Sequence, residues 1–160
     1  MIVNALGMPP KQMVDMANDA GVKVGALVGA KKHAINQINA GVDILIVAGG
    51  EAGGHCGEVS SMVLIPEVYN AIKDIKDVPI LAAGGIASGS QMAAAMAMGA
   101  SGAWCGSVWL TTTEAETNPI VKEKMLSASS ADTVRSKSRT GKHSRPVSYT
   151  HLTLPTNQCV

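Results

Sequence analysis

One histidine stands in the middle of a glycine-dense run, Gly49-Gly50-Glu51-Ala52-Gly53-Gly54-His55-Cys56-Gly57-Glu58, with five glycines within nine residues. Glycine permits positive φ and lets a ligand approach the backbone closely. Backbone N–H groups freed in such a loop can face an anion or a planar ring. An imidazole titrates near neutral pH, so it can accept a proton there. Proton removal beside an electron-withdrawing group needs such a base within hydrogen-bond reach. The bland alternative is a flexible surface loop with an incidental histidine.

Two further runs could hold an anion. Ala82-Ala83-Gly84-Gly85-Ile86-Ala87-Ser88-Gly89-Ser90 follows an apolar run and opens a helical pattern. Glycines clear side chains where a phosphate must come close, and a helix N-terminus adds N–H donors and a favourable dipole. The run fits neither the dinucleotide fingerprint nor a Walker A loop. Trp104-Cys105-Gly106-Ser107 ends the next apolar run. Paired glycine turns at adjacent strand ends form the phosphate site of many barrels, after strands seven and eight. Other candidates carry less. Cys56 has no orienting acid, and neighbouring side chains in an extended segment point apart. His33 lies on an amphipathic helix and reads as a solvated face. Arg135, Lys137, Arg139, Lys142 and Arg145 form a basic stretch without acids or aromatics, read by default as a solvated linker.

The elements that must position these residues repeat. Apolar runs occur at Ile2–Leu6, Val22–Val28, Asp43–Ala48, Val78–Ala83 and Gly102–Gly106. Several are rich in β-branched residues and apolar on both faces, as buried parallel strands are. Helical spacing follows over Pro10–Ala20, Ala30–Ala40, Pro66–Ile75, Ser90–Met98 and Pro119–Ser127. Pro66 is placed at a helix start, Gly99 stops the fourth helix, and Asn118 caps the fifth. The stretch between the third strand and its helix outgrows its unit. Loops that do so at strand C-terminal ends are where α/β proteins put chemistry. Consecutive βα units predict a parallel sheet with right-handed crossovers. Geometry alone leaves two forms open, an open sheet and an arc of a (β/α)₈ barrel.

Composition narrows the partners. The 160 residues carry a formal net charge of +1, which gives no global case for nucleic acid or a membrane surface. The chain has 22 Ala, 9 Met and no Phe, a composition suited to backbones packed closely together. No apolar run approaches the ~20 residues of a membrane span, and the N-terminus lacks the pattern of a signal peptide. Cys56, Cys105 and Cys159 are spaced neither for a disulfide framework nor for a zinc site, so no metal is expected and a cytoplasmic location is. Residues Val147–Thr156 read VSYTHLTLPT, which looks like a translated sequencing adapter. A non-native tail is therefore expected over 146–160.

Taken in order, Glu51-Ala52-Gly53-Gly54-His55, Leu81-Ala82-Ala83-Gly84-Gly85-Ile86 and Gly106-Ser107 resemble nitronate monooxygenase, also called 2-nitropropane dioxygenase. Val121–Lys124, Thr133–Ser138 and Thr140–Lys142 are similar to that family too, so the resemblance covers about residues 2–145. It implies a TIM barrel with an added helical domain, non-covalent FMN, and oxidation of alkyl nitronates or nitroalkanes by molecular oxygen. It makes His55 the group that takes the α-proton or holds the nitro group. It sets Gly53 against the flavin, and Gly84, Gly85 and the stretch Trp104, Cys105, Gly106, Ser107 at the phosphate end. Ala48 stands where many members carry Gln, and Ser107 where Thr is frequent. The motif set is shared with flavin-dependent enoyl-carrier-protein and quinone reductases that use NAD(P)H. By this resemblance the chain corresponds to the last five βα units of the barrel, an incomplete flavin-binding barrel over 1–130 followed by the start of a helical region or linker over 131–145. Its open edges predict self-association, and a fragment without catalysis is a third possibility.

Overall fold

The computed structural model describes residues 1–5, 7–138 and 140–148. Five strands form one sheet: β1 (Ile2–Asn4), β2 (Val24–Val28), β3 (Ile44–Ala48), β4 (Ile80–Ala83) and β5 (Gly102–Trp104). Helices alternate with them: α1 (Lys11–Asp19), α2 (Lys31–Asn39), α3 (Ser61–Ile72), α4 (Gly89–Ala97) and, after β5, α5 (Pro119–Ser127). All strand pairs are parallel and the spatial order is β1-β2-β3-β4-β5. Sequential order with crossovers of one hand places the connecting helices on a single face. This is the arc of a barrel, and it settles the choice that spacing left open.

Side-chain alternation separates two faces. Val24, Ala26, Val28, Leu45, Val47, Ile80 and Ala82 pack against Val14, Ala17, Ala34, Ile38, Leu64, Ile65, Val68 and Ile72 of the helices. Each such buried Leu or Ile contributes ~1.5–3 kcal/mol relative to exposure. The opposite face is a thinner layer, with Ile46, Ala48 and Ala83 backed by Val3, Leu27 and Leu81. At its C-terminal end Ala48 pairs with Ala83, and Ala83 with Trp104. One cross-strand row therefore presents two small side chains beside an indole. On the helix side of β1, Ile2, Pro10, Met13, Met16 and Val22 line an open groove of about 570 Å³. No helix of the described residues is long and apolar enough to cross a membrane.

Two local expectations need correction. Pro66 does not start α3, which begins five residues earlier and holds Pro66 inside it. Proline there removes one i→i−4 hydrogen bond, to the carbonyl of Met62. Met62 is 69% exposed, so water can satisfy that carbonyl. The long β3–α3 connection consequently shrinks to residues 49–60. None of its five glycines uses positive φ. Finally, the described residues of 131–145 contain no α-helix; a 3₁₀ turn at Ser130–Asp132 leads into a folded strap. Within the strap Ser136 and Ser144 exchange backbone hydrogen bonds, and the amide of Val134 donates to Pro146 O. The adapter-like stretch is described only to Ser148; Tyr149 onward lies outside the described residues.

Candidate functional site

The candidate residues gather at the C-terminal end of the sheet. Ala48 and Trp104 are the last residues of β3 and β5, and Gly84 directly follows β4. Ser107 opens a five-residue 3₁₀ turn, Ser107–Thr111, reached from β5 through Cys105 and Gly106. A short extra helix at this place after the final barrel strand is a recurrent phosphate site of the fold.

The loop after β3 is folded by close contact. A Cβ on Gly49 would stand 2.2 Å from Ser61 Oγ and 2.5 Å from the Ser61 nitrogen. A Cβ on Gly57 would meet the carbonyls of Gly29 and Ala48 at 3.1 and 3.2 Å. One on Gly53 would lie 2.3 Å from Ser107 Oγ, so the two motifs touch. Gly54 and Gly106, by contrast, have nothing within 4 Å of such an atom and border open space. Glu51 fastens the loop to α3. Its Oε2 accepts from the Ser61 amide at 2.9 Å and from Ser61 Oγ at 2.8 Å. A carboxylate at the first turn also complements the helix dipole.

The turn after β4 is held by its own helix. Gly84 and Gly85 have φ of 103° and 70°, a region that disfavours side chains. Gln91 closes the turn: its Oε1 accepts from the amides of Ala87 and Ser88, and its Nε2 donates to Gly85 O. Ser88 Oγ in return accepts from the Gln91 amide, completing a capping box. Two of the expected anion donors, the Ala87 and Ser88 amides, are thus already used.

Sequence reasoning missed the strap over 133–148. The supposed linker lies along the glycine loop. Arg145, half-buried, donates through Nε to Gly50 O at 2.9 Å. Arg135 donates to Gly57 O at 3.2 Å and lies 3.6 Å from a Glu58 oxygen. The Cys56 amide donates to His143 O at 3.0 Å, and His55 bridges Ser144 in antiparallel fashion. His55 itself is exposed, with Nε2 2.8 Å from Thr140 Oγ1. His143 is the strained member: its Nδ1 is buried without a partner among the described residues. Burial, then the charges of Arg135 and Lys137, hold its imidazole below the ordinary range, against an opposing pull from Glu58. One signal was available, since all five cations after Asp132 stand in a stretch without a single acid. Cys56 is half-buried but paired through its backbone, and His33 is exposed on α2 as expected.

The arrangement can hold a planar, phosphate-bearing group. Ala48, Ala83 and Trp104 give it a floor of small side chains and one aromatic edge. Gly106 and Gly54 give it open backbone, and Ser107 gives a hydroxyl beside the free amides that begin a 3₁₀ turn. His55 supplies the one imidazole of the rim whose ring is exposed.

A family model described as nitronate monooxygenase matches residues 1–155. The chain is 57% identical over 145 residues to "Putative monooxygenase Rv1533" of Mycobacterium tuberculosis, covering 91% of this chain and 38% of that protein. It is 39% identical over 136 residues to a hydroxy-methyl-oxo-octahydroindene-carboxyl-CoA dehydrogenase of Rhodococcus jostii, covering 84% and 37%. A solved nitroalkane oxidase of Streptomyces ansochromogenes superposes with a TM-score of 0.82 at 28% identity, over 92% of this chain and 45% of that one. The chain thus spans about two fifths of the length of the curated relatives it matches.

Proposed function

The chain belongs to the nitronate monooxygenase family, and from that premise we propose that it serves FMN-dependent oxidation of alkyl nitronates and nitroalkanes by molecular oxygen. The observation that carries this reading is the meeting of Gly53 with Ser107 beside His55, at the rim floored by Ala48, Ala83 and Trp104. Gly84, Gly85, Cys105, Gly106 and Ser107 would hold the phosphate end of FMN, and Gly53 would lie against its ring. When bound, FMN supplies the acceptor for the substrate's electrons and their route to oxygen.

The chain's own part is proton and charge handling. A nitroalkane carries an acidic hydrogen on the carbon bearing the nitro group. His55 takes that proton on a ring nitrogen, and the electron pair of the broken C–H bond passes into the nitro group, giving a nitronate anion. The imidazolium so formed stabilises the anion through its charge and its N–H.

The test is His55→Asn in the flavin-loaded chain. Flavin absorbance persists, while turnover of a neutral nitroalkane drops by ~10²–10⁴, the range that a positioned base supplies. Turnover of a preformed nitronate falls less, because its proton is already gone. Undiminished turnover of the neutral substrate would remove His55 from the role. A second reading, oxidoreduction with NAD(P)H, is favoured by the 39% identity to a protein named as a dehydrogenase. Bleaching of bound flavin by NAD(P)H in the absence of nitronate decides for it.

A further inference from the structure

We propose that Thr140 is the positioning residue for His55, fixing which ring nitrogen accepts the proton. The inference rests on the reading of His55 as the base. Eighty-five residues separate the two, yet His55 Nε2 and Thr140 Oγ1 are 2.8 Å apart. The approach is built from the backbone outwards. The strap turns back on itself at Gly141, whose φ is +74° and whose amide donates to Lys137 O at 2.9 Å. Immediately beyond, His143 O accepts from the Cys56 amide and Ser144 bridges His55. Both backbones are tied together before the side chains meet, so the hydroxyl arrives at the ring with little freedom left to lose.

The direction of the bond follows from the base reading, which needs a bare ring nitrogen, and the inventory at Thr140 permits it. A threonine hydroxyl has one hydrogen and two lone pairs. The Lys142 amide reaches Oγ1 at 3.4 Å and uses one lone pair. The second lone pair accepts Nε2–H of His55. The neutral ring then keeps its proton on Nε2 and shows a bare Nδ1. Proton uptake at Nδ1 leaves the Nε2–H bond in place, now donated by a cation and therefore stronger. No rotation of the ring or strap accompanies the transfer. The opposite orientation, with Thr140 donating to Nε2, would put the ring proton on Nδ1 and leave His55 without a free acceptor.

The experiment reads the tautomer directly. Ring nitrogen resonances of the ¹⁵N-labelled chain are recorded at alkaline pH, where imidazoles are neutral, and His55→Asn assigns the His55 pair. The wild type shows Nε2 protonated and Nδ1 bare. Thr140→Ser keeps that pattern. Thr140→Val, with a dispersed amide spectrum to show that it folds, lets the tautomers mix, and the two shifts move toward each other. A proton on Nδ1 in the wild type overturns the proposal, as does a Thr140→Val pattern identical to the wild type. In the flavin-loaded chain Thr140→Val lowers the ratio of neutral-nitroalkane to nitronate turnover by ~10-fold, part of what a positioned base contributes, and Thr140→Ser restores it. If neither substrate turns over in the wild type, the base reading fails, while the ring assignment still stands or falls on the spectrum.

Discussion

Two glycine-rich turns meet at the same rim and are held in opposite ways. The turn after β4 is local: Gly84 and Gly85 take positive φ, and Gln91, a few residues on, satisfies Gly85, Ala87 and Ser88. The loop after β3 is borrowed: its glycines serve close contact, Glu51 reaches to Ser61, and the strap of residues 133–148 supplies Arg135, His143 and Arg145. The same residue type thus answers two physical demands, a backbone angle in one turn and an absent side chain in the other. The self-held turn borders the end proposed above for the phosphate. The borrowed loop carries His55, so the proposed chemistry sits on the part whose shape depends on distant chain.

The largest effect separates the two demands by a single methyl group. Gly49→Ala drives a Cβ to within 2.5 Å of the Ser61 backbone nitrogen, which no side-chain rotation relieves. Overpacking of this kind costs ~1–3 kcal/mol and occasionally more, and the upper end is expected here. Ser61→Ala in the same chain does not rescue it, because the backbone clash remains. Gly84→Ala meets a strained angle, φ +103°, together with a 3.0 Å approach to the Ala52 nitrogen. Strain at such an angle costs of order 1–3 kcal/mol. Urea unfolding of the two variants checks the order. A Gly49→Ala chain as stable as the wild type would mean that contact does not govern the loop.

Legibility divides along the same line. Every strand end lies within two residues of its apolar run, and α5 runs from Pro119 to Ser127 with Asn118 accepting from the Ile120 amide. Gly84-Gly85 and Gly106-Ser107 announce themselves because strand, glycine and helix follow one another in sequence. The start of α3 was not legible. Its first amide is satisfied by Glu51 from ten residues upstream, while Pro66 carries a start signal in the wrong place. The strap was illegible for a stronger reason. It has no apolar period, and Arg145 and Arg135 bind carbonyls of Gly50 and Gly57, groups that every residue owns and no sequence pattern marks. Charge without periodicity reads as solvent-facing until the fold brings a backbone acceptor to it.

Breaking one tether in each turn sharpens the contrast. Arg145→Met keeps the aliphatic stem and removes the bond to Gly50 O. Hydrogen bonds to charged groups are worth ~1.5–3 kcal/mol. The expected result is faster exchange of the Cys56 amide and of the strap amides of Ser136 and Ser144, with the Ala87 and Ser88 amides unaffected. Gln91→Leu reverses the pattern: it removes the cap of the β4–α4 turn at a cost of ~1 kcal/mol and leaves the strap protected. Loss of protection at both places in either variant would show that the two turns are one cooperative unit.

The smallest effect is a matter of pH, and it falls on the strap alone. Burial first, then Arg135 and Lys137, keep the folded His143 imidazole below its ordinary value of 6.5, and Glu58 offsets only part of this. In the opened strap the ring regains that ordinary value. Between the two values the open state binds the proton and the closed state does not, so opening is favoured as pH falls. The contribution of neutral His143 is therefore complete above about 6.5 and is lost as pH drops through the folded value. Exchange protection of the Cys56 amide, corrected for intrinsic rates, should decline over that interval, while protection at Ala87 and Ser88 stays level. His143→Asn should flatten the Cys56 profile. A decline that survives this substitution would move the acid sensitivity to another group of the rim, Glu58 first among them, since protonating its carboxylate weakens its pairing with Arg135. In either case the acid-labile element is the strap that holds the loop of His55, and the turn after β4 is left intact.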